Sequence, residues 1–139
     1  MASEAVLIFE LEPPIPMTVA DGTGIAKGAL LKLADPLTAS LSATSDDVMA
    51  GIAAEEKVAS DGKTKLGVYM RGIFKVEANG TITVGEMVKC DATNATNTVI
   101  KVTPAASAKE NVLGRALETA ADGETFLMEL GPYQFEDEA

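Results

Sequence analysis

The sequence predicts an all-β protein: a small β-barrel or sandwich with an internal two-copy repeat and an extended N-terminal arm. Three observations carry that expectation. Around residues 61–88, turn signals at Asp61-Gly62 and Asn79-Gly80 punctuate alternating side chains. Ile73, Lys75 and Glu77 share one face and Phe74, Val76 and Ala78 the other, which is the period of a strand. Asn79-Gly80 supplies the positive φ of a two-residue turn, so the flanking segments are expected to form a central hairpin. The blocks on either side of that centre echo each other at an offset of roughly 60 residues, longer than the periods of about 20–50 typical of solenoids.

The echo is specific. Thr83 to Lys89 repeats Ile25 to Lys32, Val112 to Glu118 repeats Met49 to Glu55, and Asp122 to Gly131 repeats Asp61 to Gly72. Gly51 and Gly114 fall at matched places, where glycine suits a bend or a close backbone approach. The repetition decides two ambiguous segments. Val48 to Glu56 also fits a helix capped by Ser45, with Val48, Met49, Ile52 and Ala53 on its apolar face. Gly51 in that helix would cost about 1 kcal/mol against alanine. Strand is therefore expected for this segment and for its echo, and a turn of helix within 104–111.

In chain order, residues 1–20 read as the arm. Val6, Leu7, Ile8, Phe9 and Leu11 are apolar, and Pro13, Pro14, Ile15 and Pro16 follow, an extended stretch that no helix accommodates. It reads either as the domain's own first strand and a stiff loop, or as an arm that adds a strand to a partner's sheet. Each larger apolar side chain it buries contributes roughly 1.5–3 kcal/mol. Residues 21–131 are the β domain. It starts with a turn at Asp21-Gly22-Thr23-Gly24 and a strand over Ala26 to Leu33, closed by Asp35-Pro36. Residues 132–139 read as an acidic tail.

Composition limits the chemistry. The 139 residues fit one domain, and the formal net charge is −10 with no histidine. An acidic surface repels phosphate backbones, so no nucleic-acid partner is expected. No apolar run reaches the roughly 20 residues that span a bilayer, and Glu4 stands where a signal peptide carries positive charge. The expectation is a soluble protein that is not exported and has no membrane partner. Without histidine the usual general base and commonest metal ligand are missing. Asp46-Asp47 and Glu55-Glu56 are adjacent carboxylates that point to opposite faces of a strand. No enzyme activity, cofactor or metal is expected. Cys90 reads as a small buried hydrophobe.

Gly85-Glu86-Met87-Val88-Lys89-Cys90 resembles the lysine-bearing turn of biotinyl and lipoyl carrier domains, with Val88 and Cys90 replacing the residues that flank the carrier lysine. That leaves a carrier domain modified at Lys89, or a carbohydrate-binding β domain, as alternatives. A wider set of residues resembles the head decoration (cement) proteins of tailed bacteriophages, a family that includes the phage lambda head decoration protein. These are Val48-Met49-Ala50-Gly51-Ile52-Ala53-Ala54-Glu55-Glu56, Gly62-Lys63-Thr64 with Leu66 to Met70, and Arg71-Gly72-Ile73-Phe74-Lys75-Val76. The resemblance covers about residues 20–131. It implies a small β-barrel or β-tulip-like domain that serves as a capsid decoration protein on the virion exterior, made in the host cytoplasm, bound to the major capsid protein as a homotrimer at three-fold positions and stabilising the expanded shell. It also implies an arm that reaches the shell. Here that arm would be Val6, Leu7, Ile8, Phe9, Leu11, Pro13, Pro14, Ile15 and Pro16. Deleting residues 1–16 is expected to leave a folded domain that no longer binds; an unfolded truncation would make them the domain's first strand.

Overall fold

A computed structural model describes residues 4–42, 48–91, 97–102 and 109–136. Among these residues there are eleven strands and no helix. They are β1 (Val6–Glu10), β2 (Ile15–Thr18), β3 (Leu30–Ala34), β4 (Thr38–Leu41), β5 (Met49–Ala53), β6 (Lys65–Tyr69), β7 (Gly72–Ala78), β8 (Met87–Cys90), β9 (Thr98–Lys101), β10 (Lys109–Ala116) and β11 (Thr125–Glu136).

Two five-stranded barrels use the same wiring. The first closes in the order β2-β4-β3-β5-β6, and β6 returns to β2. The second runs β7-β9-β8-β10-β11 and returns to β7. In each, a parallel contact between the first and third strands closes the ring: Thr18 opposite Thr38, and Glu77 with Ala78 opposite Thr98 and Val99. Isolated bridges also match, Ile25 to Lys57 and Ile82 to Ala120. The expected two-copy repeat is thus a pair of barrels, and both ambiguous segments are strands, β5 and β10.

Composition explains the shape. The first barrel is filled by Met17, Val19, Ile25, Leu31, Leu66 and Val68, with Ala29, Ala39, Ala50 and Ala53 keeping its narrow interior from overfilling. β5 is buried along its whole length. Its Ala50 and Ala53 face the first core, while Met49 and Ile52 join Phe74, Val88, Leu113, Phe126 and Met128 in the second. The barrels therefore share an apolar interface. Asn97 pins it, its Oδ1 accepting a buried hydrogen bond from Leu30 N at 3.2 Å.

Several expectations are corrected. Asn79-Gly80 does not make a hairpin, because β7 pairs with β1, β11 and β9 and not with β8. Gly80 has φ +95, but its N–H donates to Asp122 Oδ1 and Asn79 N–H donates to Val99 O. The turn is used to reach the far side of the ring. The arm expected over residues 1–20 carries β1, paired with β7, and β2, a stave of the first barrel. Of the tail expected over 132–139, residues up to Glu136 continue β11 opposite β10. Residues 104–108 of the expected helical turn lie outside the described residues, and 109–111 are strand.

Candidate interaction surface

β1 is the edge strand of the second barrel's sheet. It pairs antiparallel with β7, Val6 opposite Lys75, Leu7 opposite Phe74, Phe9 opposite Ile73 and Glu10 opposite Gly72, with a bulge at Ile8. Leu7 is half-buried against the core, and Ala5 just before the strand is fully buried. The remaining apolar side chains face outward: Val6 is 46% exposed, Ile8 42%, Phe9 62% and Leu11 56%. This exposed apolar row on an edge strand makes β1 the candidate interaction surface. Tyr69 of the first barrel braces the strand. Its ring meets Phe74 edge-on at 5.6 Å, and its hydroxyl pKa is raised by burial and by hydrogen bonding and charge from Glu10.

Of the candidate residues, Val6 to Phe9 thus come together on β1 and Leu11 continues the row, while Ile15 and Pro16 lie in β2. Pro14 packs over Gly67, and Pro13 is exposed between the strands. Pro16 has a structural role. Val19 N–H donates to Thr64 beside β6, whereas Thr18 N–H donates to Leu37 on the opposite side. By strand alternation the nitrogen of Pro16 also faces away from β6, and it carries no hydrogen. Pro16 sits opposite Gly67 as Lys75 sits opposite Leu127 in the second barrel. Where Lys75 meets Val6 of β1, Pro16 presents an edge that cannot donate.

Two features carried no sequence signal. The first is Lys57, whose side chain is fully buried at the position of Ala120 in the second barrel. Its Nζ donates to Asp21 O at 2.8 Å, Asp61 Oδ1 at 2.9 Å, Val58 O at 3.2 Å and Asp21 Oδ1 at 3.4 Å. Burial pulls the Lys57 pKa down, but the hydrogen bonds from its ammonium to Asp61 and Asp21 outweigh this and leave it raised. The same ammonium, with the Lys63 N–H, lowers Asp61 from 3.8 to about 2. The stabilisation from Asp61 is therefore complete above 3.8 and lost as pH falls toward about 2. That from Lys57 is complete below 10.5 and lost as pH rises through its raised pKa. In urea titrations across pH, Lys57→Met is expected to lower stability at neutral pH and to flatten both limbs. A variant profile parallel to the parent would show that the knot contributes nothing.

The second is a cleft of about 370 Å³ on the second barrel, lined by Arg71, Met87, Gly114, Arg115, Glu129, Gly131 and the strand at Leu130, whose side chain is fully buried in the core. Arg115 pairs with Glu129 at 2.8 Å, and Arg71 Nη1 donates to Met70 O. Lys89, by contrast, lies within β8 opposite Ile100 rather than at a hairpin tip. The adjacent carboxylates Asp46-Asp47 lie outside the described residues.

Comparison with known proteins assigns the architecture. Among solved structures, the crystal structure of the head fiber gp8.5 N base in bacteriophage phi29 superposes with a TM-score of 0.52 at 18% identity. The match covers 84% of this chain and 92% of that one, a likeness of fold. No curated protein matches. The profile of the phage cement proteins matches residues 11–130, nearly the whole double barrel, and the chain belongs to that family of structural phage-head proteins.

Proposed function

We propose that this protein decorates the outer surface of a tailed-phage head, binding the major capsid protein and stabilising the expanded shell, as trimers at three-fold positions. The observation that carries the reading is the exposed apolar row on β1, continued by Leu11, on an otherwise acidic body with net charge −10. That composition keeps a protein needed in many copies soluble and off the packaged DNA. It leaves apolar contact and strand pairing as the source of affinity, multiplied over the shell by avidity. Because Phe9 and Leu11 are exposed, they can be changed without opening the core.

The test is co-sedimentation with expanded, undecorated capsids of the cognate phage. The parent chain is expected to saturate in a fixed ratio to the major capsid protein. Phe9→Asp with Leu11→Asp is expected to weaken binding by about a hundredfold, since two apolar contacts of about 1.5 kcal/mol each are lost. Val58→Asp, at an exposed valine on the first barrel's turns, is expected to bind as the parent does. No binding by the parent would overturn the proposal.

A further inference from the structure

The exposed row on β1 and the cleft of the second barrel lie on one face of one sheet. Phe9 sits opposite Ile73, Ile73 opposite Glu129, Glu129 opposite Arg115, and Arg115 opposite Met87. Residues paired in this way project to the same side. Their neighbours in sequence, Phe74, Met128, Ala116 and Val88, fill the core, so the five project outward. Phe9 and Arg115 are exposed, and Ile73, Glu129 and Met87 are half-buried. The column crosses β1, β7, β11, β10 and β8, four strand spacings or about 19 Å. Glu129, Arg115 and Met87 also line the cleft. A stable interface takes about 800 Å² from each partner. β1 is five residues long, a footprint of about 17 Å by 5 Å, so a partner seated on its outward side chains must also cover the columns beside it.

The cleft differs in charge from the rest of the molecule. Acids outnumber bases 21 to 11 over the chain, yet both of its arginines, Arg71 and Arg115, line this cleft beside a single carboxylate, Glu129. Arg115 is engaged by Glu129 at 2.8 Å. Arg71 is held next to them, its Nη1 donating to Met70 O and its guanidinium lying against Gly131, where a Cβ would stand 3.5 Å from Nη1. Among the described residues no carboxylate pairs with it, so most of its planar fork of donors faces outward. We propose that the partner covering the β1 row extends over this column and sets an Asp or Glu carboxylate against Arg71. The proposal rests on the decoration reading and deepens it, giving the capsid segment its chemistry: apolar side chains with an acidic one beside them. The acidic surface elsewhere repels that carboxylate, so the pair fixes which way round the protein sits as well as adding affinity.

Co-sedimentation with expanded, undecorated capsids of the cognate phage tests it. Arg71→Glu is expected to weaken binding about tenfold, since like charges then meet. Arg71 is exposed, so the variant is expected to melt with the parent. Lys63→Glu makes the same change of net charge at an exposed turn of the first barrel and is expected to bind as the parent does. Arg71→Lys keeps the charge and supplies a reactive amine. Carbodiimide treatment of shells decorated with that variant is expected to join position 71 to an Asp or Glu of the major capsid protein, located by peptide mass mapping. Arg71→Glu binding no more weakly than Lys63→Glu, or a map in which position 71 joins no capsid peptide, overturns the proposal. Saturable binding by the parent in that case leaves the decoration reading standing, whereas no binding by the parent removes both.

Discussion

Gly51→Ala and Gly114→Ala are each expected to lower stability by more than about 4 kcal/mol, enough to unfold much of the protein at 37 °C. A Cβ on Gly51 would fall onto the carbonyl oxygen of Tyr69, and one on Gly114 onto that of Glu129. Both obstacles are backbone in a neighbouring strand, so no rotamer change relieves them. Gly51 adds a φ of +149, which side chains rarely adopt. Gly62→Ala and Gly123→Ala are the controls. Both have positive φ, +87 and +84, but open space where the Cβ would stand. They are expected to cost only about 1–2 kcal/mol, the conformational term alone. Thermal unfolding separates the pairs, at about 3–5 °C per kcal/mol for a chain of this size. Equal losses for Gly51→Ala and Gly62→Ala would remove the close-approach argument.

The second large effect is that of removing residues 1–12. The truncated chain is expected to lose about 2–4 kcal/mol and to aggregate on warming. It gives up the burial of Ala5 and half of Leu7, and the ladder between β1 and β7. It also bares the edge of β7 to pairing by other chains. This outcome differs from that expected of a free arm, and it means that loss of shell binding on truncation would not by itself locate the binding residues. Scanning calorimetry of the parent and truncated chains, with light scattering, measures both effects. A truncated chain as stable as the parent would show β1 to be an appendage.

What was legible in the sequence was whatever the repeat wrote twice. The echo of Met49 to Glu55 by Val112 to Glu118 identified β5 and β10 as strands against a helical local pattern, and Gly51 and Gly114 marked the close approach of β5 to β6 and of β10 to β11. The pairing of β7 was not legible. Asn79-Gly80 has the chemistry of a hairpin turn, yet ring closure gives β7 three other partners, and a local signal yields when its strand is already saturated. The prolines were legible as extended backbone but not as one face of a stave, since which side of β2 lacks a neighbour is a property of the closed barrel. Lys57 and the two arginines stood among ordinary charged residues, and only the fold brings Lys57 to Asp21 and Arg71 to Arg115.

The missing hydrogen on Pro16 has a consequence for how the protein behaves in bulk. A chain with two sheet edges open to strand addition is a bifunctional monomer, and bifunctional monomers polymerise without limit. At Pro16 one of the two corresponding edges has no N–H to donate, which disfavours strand addition there. Strand addition is then favoured at β1 alone. A chain can keep an apolar edge strand such as β1 exposed on those terms with less tendency to set into fibres.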